Sequence, residues 1–531
     1  MHTYKKHTLS YLTTLLAGCI LPLSPGAMAD QISSGSCTIT AENAPSVELL
    51  YTLTDHTDGV WNAVFSPDGD LLATCTQDQM VLLREVNDLD SVIQLTGHEG
   101  WVLGLAFSPD GQILASAGTD GFTGTTPGEI RLWDVATSSQ LRILPGHNYG
   151  CWSLDFQESS GLLVSGGKDR LVKIWDPSTG DILDTLTGHA GWVLSVDYNP
   201  HQDLIASSAT DNTVRVWNSE TGTVVHTLTN HTNNVGFVKF SPDGTRLASS
   251  ADDGTVRLWD VASGDQIWSC SAGQGWVNCV NFSPDGELML TCGHNSSVVL
   301  RRSVDGAELV RLDQHTGPVL RGSFNPEGTM FATASWDQTV RIWGLTTTID
   351  STGHTPTESN SNDTVTVYAQ VVGCMGIEEV NLYYDAGSGF QAVAMVDDGA
   401  HGDGAAGDLT FAAYIPPLPP GTSVYYYVSV TDARDSTRVD PVSAPIVCYQ
   451  YTVDCCAGMR GNVNFDELDE VDIGDLTALI SYLFIPPNPE PACLDEANVN
   501  GDTEGTVDIG DLTSLIGYLF IPPNVEPTAC G

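Results

Sequence analysis

Short runs of alternating apolar and polar residues, separated by turns rich in Gly, Pro and Asp, fill most of the chain. Residues 231–270 show the pattern clearly. The runs from Val235 to Phe240, Leu247 to Ser250 and Val256 to Trp259 each predict a strand. Pro242-Asp243-Gly244 separates the first two runs, where the fixed φ of Pro and the freedom of Gly suit a tight turn. A fourth strand follows the Trp-Asp pair, so each such unit predicts four short antiparallel strands.

This unit occurs seven times, with a spacing of 42 residues at all but one step. The landmarks of the unit are a His near its start, a turn similar to "FSPDG", and an Asp six residues before a Trp. The His positions are His56, His98, His147, His189, His231 and His315, with Gly273 in the sixth copy. The longer step contains the insertion "GFTGTTPGE" after Asp120. Four strands at a fixed period of this size predict a seven-bladed β-propeller over residues 46–346.

The ends of the units resemble those of the WD-repeat family. They read "RLWD" at Arg131–Asp134 and Arg257–Asp260 and "KIWD" at Lys173–Asp176, while Arg84 and Arg301 replace the Trp in two copies. The resemblance implies a hydrogen-bonded network of His, Asp, a strand Ser or Thr, and Trp in each blade. The matching acidic positions are Asp78, Asp169, Asp211, Asp253 and Asp337, with Asn295 in the sixth copy. Because these residues recur once per unit, we interpret them as scaffolding and predict no catalytic residue among them. The sixth network, which lacks both His and Trp, should be the weakest.

The two ends of the repeat region complement each other. The last unit stops at Gly344 without a fourth strand, and an unassigned strand pattern, Val47–Leu53, precedes the first His. Pairing this strand with the last unit would close the ring and remove its exposed edges. The same closure is implied by the family resemblance.

Three tryptophans have equivalent positions, three residues beyond the His position of their units. They are Trp101, Trp192 and Trp276. Propellers of this family open the corresponding loop onto one face, around the central channel. These rings are therefore candidate binding residues for a protein or a glycan. The alternative is that they pack between blades.

Charge restricts the classes of partner. The net charge is −46, from 66 acidic and 20 basic residues. Nucleic acid and anionic lipid both need Lys or Arg on the protein surface, so neither is an expected partner. Beyond the first six residues the only lysines are Lys168, Lys173 and Lys239.

Residues 1–29 have the pattern of an export signal: Lys5 and Lys6, an uncharged apolar stretch, and Ala27-Met28-Ala29 before a cleavage point. The competing interpretation is a lipoprotein signal, with a lipid on Cys19. No later stretch is apolar enough to predict a transmembrane segment. The mature protein is thus expected outside the cytoplasm, in the periplasm, at the cell surface or in the medium.

Residues 347–363 are rich in Thr, Ser, Gly and Asn and predict a linker. Six alternating runs follow in residues 364–453 and predict an antiparallel β-sandwich, similar to an immunoglobulin or fibronectin module. Its loop at 397–408 offers Asp397, Asp398, Asp403 and Asp408 as candidate calcium ligands, or is an ordinary acidic hairpin loop. Cys374 and Cys448 are candidates for a disulfide.

Residues 454–531 contain two near-copies, which start at Asn462 and Asn498. Each has an acidic loop followed by an amphipathic helix, so a small α-helical module is predicted. The tail resembles a dockerin, which implies Ca²⁺ in both loops and a cohesin-like partner. Each loop is 14 residues long instead of the familiar 12. The implied ligands are Asn462, Asn464, Asp466, Asp472 and Asp475, then Asn498, Asn500, Asp502, Asp508 and Asp511. Alternatively, the tail is a pair of capped helices with loose acidic loops, or its helices dock onto the sandwich.

Together these patterns predict an exported, calcium-dependent, non-catalytic scaffold that is a monomer. Its propeller would bind a protein and its tail would attach it elsewhere. One alternative is a glycan-binding module that uses the tryptophans. The other is a hydrolase with its site in the propeller channel.

Overall fold

In the computed structural model of the protein, β-strands make up nearly all regular structure. The structure describes residues 37–119, 128–356, 359–360, 363–374, 377–399, 407, 409–432, 437–440 and 448–454. Within these ranges, residues 48–344 form seven four-stranded antiparallel sheets. A short 3-10 helix, Ala44–Ser46, precedes them. The prediction of a mainly β propeller is confirmed.

The strands of this region are short and evenly spaced. In chain order they are β1 (Glu48–Leu53), β2 (Val60–Phe65), β3 (Leu71–Thr76), β4 (Val81–Glu85), β5 (Asp88–Leu95), β6 (Trp101–Phe107), β7 (Ile113–Thr119), β8 (Ile130–Asp134), β9 (Ser139–Leu144), β10 (Cys151–Phe156), β11 (Leu163–Gly167), β12 (Val172–Trp175), β13 (Ile182–Leu186), β14 (Val193–Tyr198), β15 (Leu204–Ala209), β16 (Val214–Asn218), β17 (Val224–Leu228), β18 (Val235–Phe240), β19 (Arg246–Ala251), β20 (Thr255–Asp260), β21 (Gln266–Ser271), β22 (Val277–Phe282), β23 (Leu288–Gly293), β24 (Val298–Arg302), β25 (Glu308–Leu312), β26 (Val319–Phe324), β27 (Met330–Ser335) and β28 (Val340–Gly344).

We number the sheets one to seven by their first strands, which are β2, β6, β10, β14, β18, β22 and β26. Each of sheets one to six consists of four consecutive strands, and sheet seven has the order β1-β28-β27-β26. The first strand of each sheet contacts the first strand of the next, and β26 contacts β2. These first strands therefore surround a central channel.

Residues within the turn stabilise the chain reversal between the first two strands of a sheet. In sheet six the hydroxyl of Ser283 donates to Asp285 at 2.5 Å and accepts the amide of Leu288 at 2.9 Å. Gly286 has φ of 72°, a conformation that a side chain disfavours. The hydroxyl thus replaces a strand hydrogen bond at the point where the chain reverses.

Sheet seven is completed by the strand that begins the propeller. β1 pairs antiparallel with β28, with Glu48 opposite Gly344 and Leu53 opposite Val340. The closure predicted from Val47–Leu53 is confirmed. It leaves β28 with a hydrogen-bonded partner on both sides.

Apolar side chains fill the space between adjacent sheets. Between sheets three and four, Val172, Ile174 and Trp217 are buried in one cluster with Val196. The stabilisation comes from removing these side chains from water, at roughly 25 cal/mol per Å² of apolar surface.

Two further sheets follow the propeller. Their strands are β29 (Thr348–Thr355), β30 (Ser359–Asn360), β31 (Val365–Val372), β32 (Ile377–Asp385), β33 (Gln391–Ala394), β34 (Thr410–Ile415), β35 (Ser423–Asp432), β36 (Thr437–Asp440) and β37 (Tyr449–Asp454). One sheet has the order β29-β31-β34, and the other has β30-β37-β35-β32-β33 with β36 on β35. Their inner residues form one buried cluster, which includes Val367, Leu382 and Val428.

The linker prediction is wrong for Thr348–Thr355, because these residues form β29 and pair with β31. Thr has a high β-propensity, and an unsatisfied sheet edge offered it a partner. The composition of residues 347–363 predicted a flexible linker, but pairing with β31 makes Thr348–Thr355 a strand.

The predicted disulfide between Cys374 and Cys448 is also wrong, because Cys374 bonds with Cys37. The segment before the propeller runs along sheet seven, where the amide of Ile39 donates to the carbonyl of Gly328 at 2.8 Å. This places Cys37 beside the end of β31. The bond covalently links the start of the described chain to the second domain.

Candidate functional site

Four sheets contain a complete hydrogen-bonded network of His, Asp, Ser or Thr, and Trp. In sheet four, Nδ1 of His189 lies 2.9 Å from Asp211, and Nε2 lies 2.8 Å from the hydroxyl of Ser207. The indole N–H of Trp217 donates to the same hydroxyl at 2.7 Å. Sheets three, five and seven have equivalent networks around His147, His231 and His315. The networks satisfy polar groups that the sheets bury.

Sheet two obtains its acid from an unpredicted residue. Oε1 of Glu129 lies 3.1 Å from Nδ1 of His98 and accepts from Nε of Arg131 at 2.9 Å. The insertion displaces the usual Asp position, and Glu129, at the end of the insertion, takes its place. A longer side chain compensates for the changed loop.

Sheets one and six have Arg where the other sheets have Trp. Arg84 is buried and forms an ion pair with Asp55. In sheet six, Nε of Arg301 donates to Thr291 at 3.3 Å, and Gln274 donates to the carbonyls of Thr291 and Ser297. The sixth network is therefore substituted by other polar groups. Its predicted weakness remains a prediction.

Burial controls the protonation of these networks. It lowers the pKa values of His98, His147, His231 and His315, because the charged imidazolium is poorly solvated there. Burial together with the Arg84 guanidinium lowers the pKa of His56 to about 4. Burial opposes ionisation of Asp253, yet hydrogen bonds from Thr255, Thr232 and His231 lower the pKa of Asp253 to about 2. The imidazoles of these five His residues are thus neutral, and the carboxylate of Asp253 is charged, at neutral pH.

Two residues of each sheet lie at one end of the channel, which we call the mouth. The first mouth position is the residue just before the first strand; it is Gly59, Trp101 (the first residue of its strand), Gly150, Trp192, Asn234, Trp276 or Pro318. The second mouth position follows the second strand or ends it; it is Gln77, Thr119, Lys168, Thr210, Asp252, His294 or Trp336. Backbone hydrogen bonds join the two positions, as between His294 and Trp276 at 2.9 Å.

Aromatic rings form a connected arc around the mouth. Trp61 contacts Trp101, Trp152 and Trp336, with ring centroids 6.3, 6.0 and 6.1 Å apart. The ring of Trp336 lies 6.0 Å from that of His294. Trp61 and Trp152 are only 8% exposed, and Trp101 packs against the same core cluster. These three rings support the fold, as the packing interpretation expects.

The remaining rings are open to solvent. Trp192 is 40% exposed, Trp276 51% and Trp336 39%, and all three lie at mouth positions. The sequence singled out Trp192 and Trp276, but not Trp336, which occupies the second mouth position. Aromatic residues are enriched at protein interfaces, and tryptophan is enriched among the residues that contribute most binding energy.

A lysine occupies one side of the mouth. Nζ of Lys168 lies 5.2 Å from the centroid of Trp192 and 5.9 Å from that of Trp152. This is a cation–π arrangement in which the chain supplies the cation itself.

The other side of the mouth has a carboxylate instead. Asp252 accepts a hydrogen bond from Asn234 at 2.9 Å. Burial raises the pKa of Asp252, against the lowering effects of Asn234 and His294. The His294 ring lies 4.7 Å from Trp276, and so connects that ring with Trp336. We call Asp252, Trp276, His294 and Trp336 the acidic quartet.

Models of known protein families match the repeat region, and one of them extends into the sheets that follow it. The model for the WD domain, G-beta repeat, matches residues 47–84, 89–134 and 138–176. The model for the IFT122 first beta-propeller matches residues 171–398. The chain contains WD40 repeats and an IFT122-type propeller domain. The resemblance read from the "RLWD" and "KIWD" endings is thereby confirmed. No curated protein matches the chain.

WD40 propellers are typically non-catalytic scaffolds for protein interaction. The described ranges contain no helix that is both long and apolar enough to cross a lipid bilayer.

The channel of this WD40 propeller contains charged groups that the sequence did not reveal. A cavity of about 460 Å³ is lined by Asp155, Asp197, Lys239 and Arg321, among others. Asp155 accepts the amide of Tyr198 at 2.7 Å, and Asp197 accepts that of Phe240 at 2.6 Å. Each bond connects one sheet with the next.

Lys239 forms an ion pair with Asp197. Burial raises the pKa of Asp197 to about 7, although Lys239 counteracts it. The guanidinium of Arg321 lies 4.2 Å from the ring centroid of Phe237. The Lys239–Asp197 ion pair holds adjacent sheets together, and Arg321 reaches from sheet seven to Phe237 of sheet five. The hydrolase alternative gains no positioned nucleophile from these groups.

Most predicted calcium ligands lie outside the described residues. Asp403, Asp408 and all ten tail positions from Asn462 to Asp511 lie outside them. The predicted export signal and Cys19 also lie outside the described residues. Asp397 and Asp398 are described, and Asp397 accepts the amides of Gly407 at 2.7 Å and Leu409 at 2.9 Å. Among described residues, no three His, Cys, Asp or Glu side chains converge as a metal site would require.

Proposed function

We propose that this protein is an exported, non-catalytic scaffold whose propeller binds a protein partner at the Trp-lined mouth. The observation that carries the proposal is the group of three exposed tryptophans, Trp192, Trp276 and Trp336, at mouth positions around one opening. Large rings held on rigid strands can bury much apolar area with little loss of conformational freedom. We infer that the seven sheets form a complete seven-bladed propeller, which would fix the spacing of these rings.

A binding role suits the polar residues better than a catalytic one. The His and Asp residues recur in nearly every sheet. There the His bonds with the acid and with a Ser or Thr hydroxyl, and that hydroxyl also accepts the Trp indole N–H. The charged residues of the channel bond with neighbouring sheets. A hydrolase would need a nucleophile and a base that face a substrate, and the described groups are engaged elsewhere.

The other segments of the chain would export this binding surface, hold it at a distance and attach it to a second partner. Residues 1–29 would direct export, and the second domain would be an immunoglobulin- or fibronectin-type sandwich that acts as a spacer. The tail, 454–531, would be a dockerin-like module that binds Ca²⁺ and a cohesin-like partner. We propose that the mature protein is monomeric.

The mouth can be tested with full-length protein on beads, used to capture secreted proteins from the source culture. Trp192→Ala with Trp276→Ala should reduce capture at least about tenfold, because hot-spot aromatics contribute 2 kcal/mol or more each. The matched control is Leu183→Ala, since Leu183 is 54% exposed on an outer strand far from the channel.

Equal capture by the double variant and the wild type would refute the mouth as the binding surface. Binding to a glycan array that disappears in the double variant, without any protein capture, would establish the glycan alternative. Melting curves of both variants should match the wild type, which would show that capture was lost without unfolding.

The tail is tested separately by melting the full-length protein with Ca²⁺ and with a chelator. We expect an additional, calcium-dependent transition, because repelling carboxylates need a cation to fold around. Asp475→Ala with Asp511→Ala should abolish it. Identical curves with and without Ca²⁺ would remove calcium from the proposal.

A further inference from the structure

The two sides of the mouth carry charges of opposite sign at an equivalent position. Lys168 and Asp252 are both second mouth positions, and Trp192 and Trp276 are the first mouth positions of the sheets that follow them. The same sequence distance separates Lys168 from Trp192 and Asp252 from Trp276. The repeat thus presents an aromatic–cation pair on one side and an aromatic–carboxylate pair on the other.

The mouth positions of neighbouring sheets contact each other in the same way around the ring. The second mouth position of a sheet contacts the first mouth position of the next, as Lys168 contacts Trp192. A Cβ on Gly59 would lie 3.0 Å from Cδ1 of Trp336, and one on Gly150 would collide with Thr119. This arrangement places Asp252 beside Trp276, and the electrostatic effect of His294 on Asp252 agrees with this position.

The acidic quartet has the components of a cation site. Trp276 and Trp336 present exposed rings whose faces attract cations, and Asp252 adds a partly buried negative charge. Among the described residues, no Lys or Arg side chain lies over either ring. On the opposite side, the corresponding ring is already covered by Lys168.

We propose that the acidic quartet binds a Lys or Arg side chain of the protein partner. The inference rests on the proposed function and specifies the partner's chemistry: a basic segment that places one cation against the exposed part of the Trp276 ring, beside Asp252. The net charge of −46 favours the same class of partner, because it attracts basic proteins and repels acidic ones.

The test uses full-length protein and short capped Gly/Ser peptides with one central Arg, Lys, Gln or Glu. Binding is followed by tryptophan fluorescence and by NMR of the peptide. The Arg and Lys peptides should bind at least about tenfold more tightly than the Glu peptide, because the cation gains both ring and carboxylate attraction. The Gln peptide measures contacts that do not depend on charge.

Variants of the quartet identify the site. Trp276→Ala and Asp252→Asn should each weaken Arg-peptide binding about fivefold. Asp252→Lys should weaken it further, because it reproduces the Lys168–Trp192 arrangement and supplies an internal cation. The control is Leu183→Ala on the outer strand of sheet three, which should leave the affinity unchanged within about twofold.

Equal binding of Arg and Glu peptides, or unchanged affinity in the Asp252 variants, would overturn the inference. The proposed function would survive that result if Trp192→Ala with Trp276→Ala still abolished capture of the natural partner. Loss of capture in Asp252→Lys alone, with an unaltered melting curve, would support both.

Discussion

The interior of the sheets and the mouth of the channel use the same repeat in opposite ways. Inside sheets three, four, five and seven, equivalent positions contain the same His, Asp, Ser or Thr, and Trp, with nearly equal distances. At the mouth, equivalent positions contain Gly, Trp, Asn or Pro in one set and six different residue types in the other. The fold requires the first group and tolerates variety in the second. Variation within a repeat therefore indicates where this chain is free to specialise for binding.

The largest expected difference is between a buried and an exposed ring of the same aromatic arc. Trp61→Ala should lower the free energy of unfolding by about 3–5 kcal/mol, because it leaves a cavity beneath Trp101, Trp152 and Trp336. Trp276→Ala should lower it by less than about 1 kcal/mol, since half of that ring is already in water. Urea unfolding of the two variants makes the comparison. Similar losses would mean that the mouth is part of the core.

Two adjacent serines allow the effect of the network hydrogen bonds on stability to be distinguished from the effect of burial alone. Ser207 and Ser208 are both fully buried, but only Ser207 bonds with His189 and Trp217, while the Ser208 hydroxyl has no partner among the described residues. Ser207→Ala should cost about 2 kcal/mol, because it leaves two buried polar groups unpaired. Ser208→Ala should change stability by less than about 0.5 kcal/mol.

The measurement is again urea unfolding, and the pair can be repeated in sheet five. There Ser249 bonds with His231 and Trp259, whereas Ser250 has no partner in the part of the chain described. Equal effects of the two substitutions in either sheet would show that the networks contribute nothing beyond packing.

The interior networks should also make stability depend on pH in a defined direction. The folded-state pKa of His56 is lowered to about 4, below its unfolded value near 6.5, so the unfolded chain binds more protons between these values. Stability is thus complete above about pH 6.5 and falls as the pH decreases towards 4. From pH 7 to 5, His56→Gln should lose roughly 1–2 kcal/mol less than the wild type.

Chemical unfolding at several pH values, at constant ionic strength, provides the measurement. The exposed His201 is the control, and His201→Gln should leave the pH dependence unaltered. A wild-type stability that does not change from pH 7 to 5 would contradict neutral, buried histidines.

The smallest effect concerns the insertion in sheet two. Glu129→Gln should lower the free energy of unfolding by about 1 kcal/mol, because the charge beside His98 and Arg131 is lost. Glu99→Gln, an exposed site of the same sheet, is the control and should have almost no effect. Thermal melts of both variants would compare them. An equal shift would mean that Glu129 is not the acid of this network.

The regular parts of the fold could be predicted from the sequence. The runs from Val235, Leu247 and Val256 became β18, β19 and β20 to within one or two residues at each end. Closure by β1 followed because an incomplete last unit and an unassigned strand pattern fit each other. Both conclusions depend on local periodicity and turn chemistry, which the sequence displays directly.

The remainder depended on contacts between distant residues. Composition could not show that Thr348–Thr355 would find an edge at β31, or that Cys37 would lie beside Cys374. Glu129 was missed because the insertion moved the acid away from its expected position. The repeated tryptophans pointed only to the first mouth position, so Trp336, His294, Asp252 and Lys168 at the second position were missed, although that position varies more.

The pairing of β1 with β28 has a consequence for biosynthesis. A ribosome releases β1 early, yet its hydrogen-bonding partner emerges only after almost the whole ring has been made. Until then β1 of the nascent chain has no partner strand. At high protein concentration, β1 of a neighbouring molecule could pair with β28 in its place. Such an exchange would interlock two molecules as a domain-swapped pair. Dilute, chaperone-assisted production should therefore favour rings that each close on their own first strand.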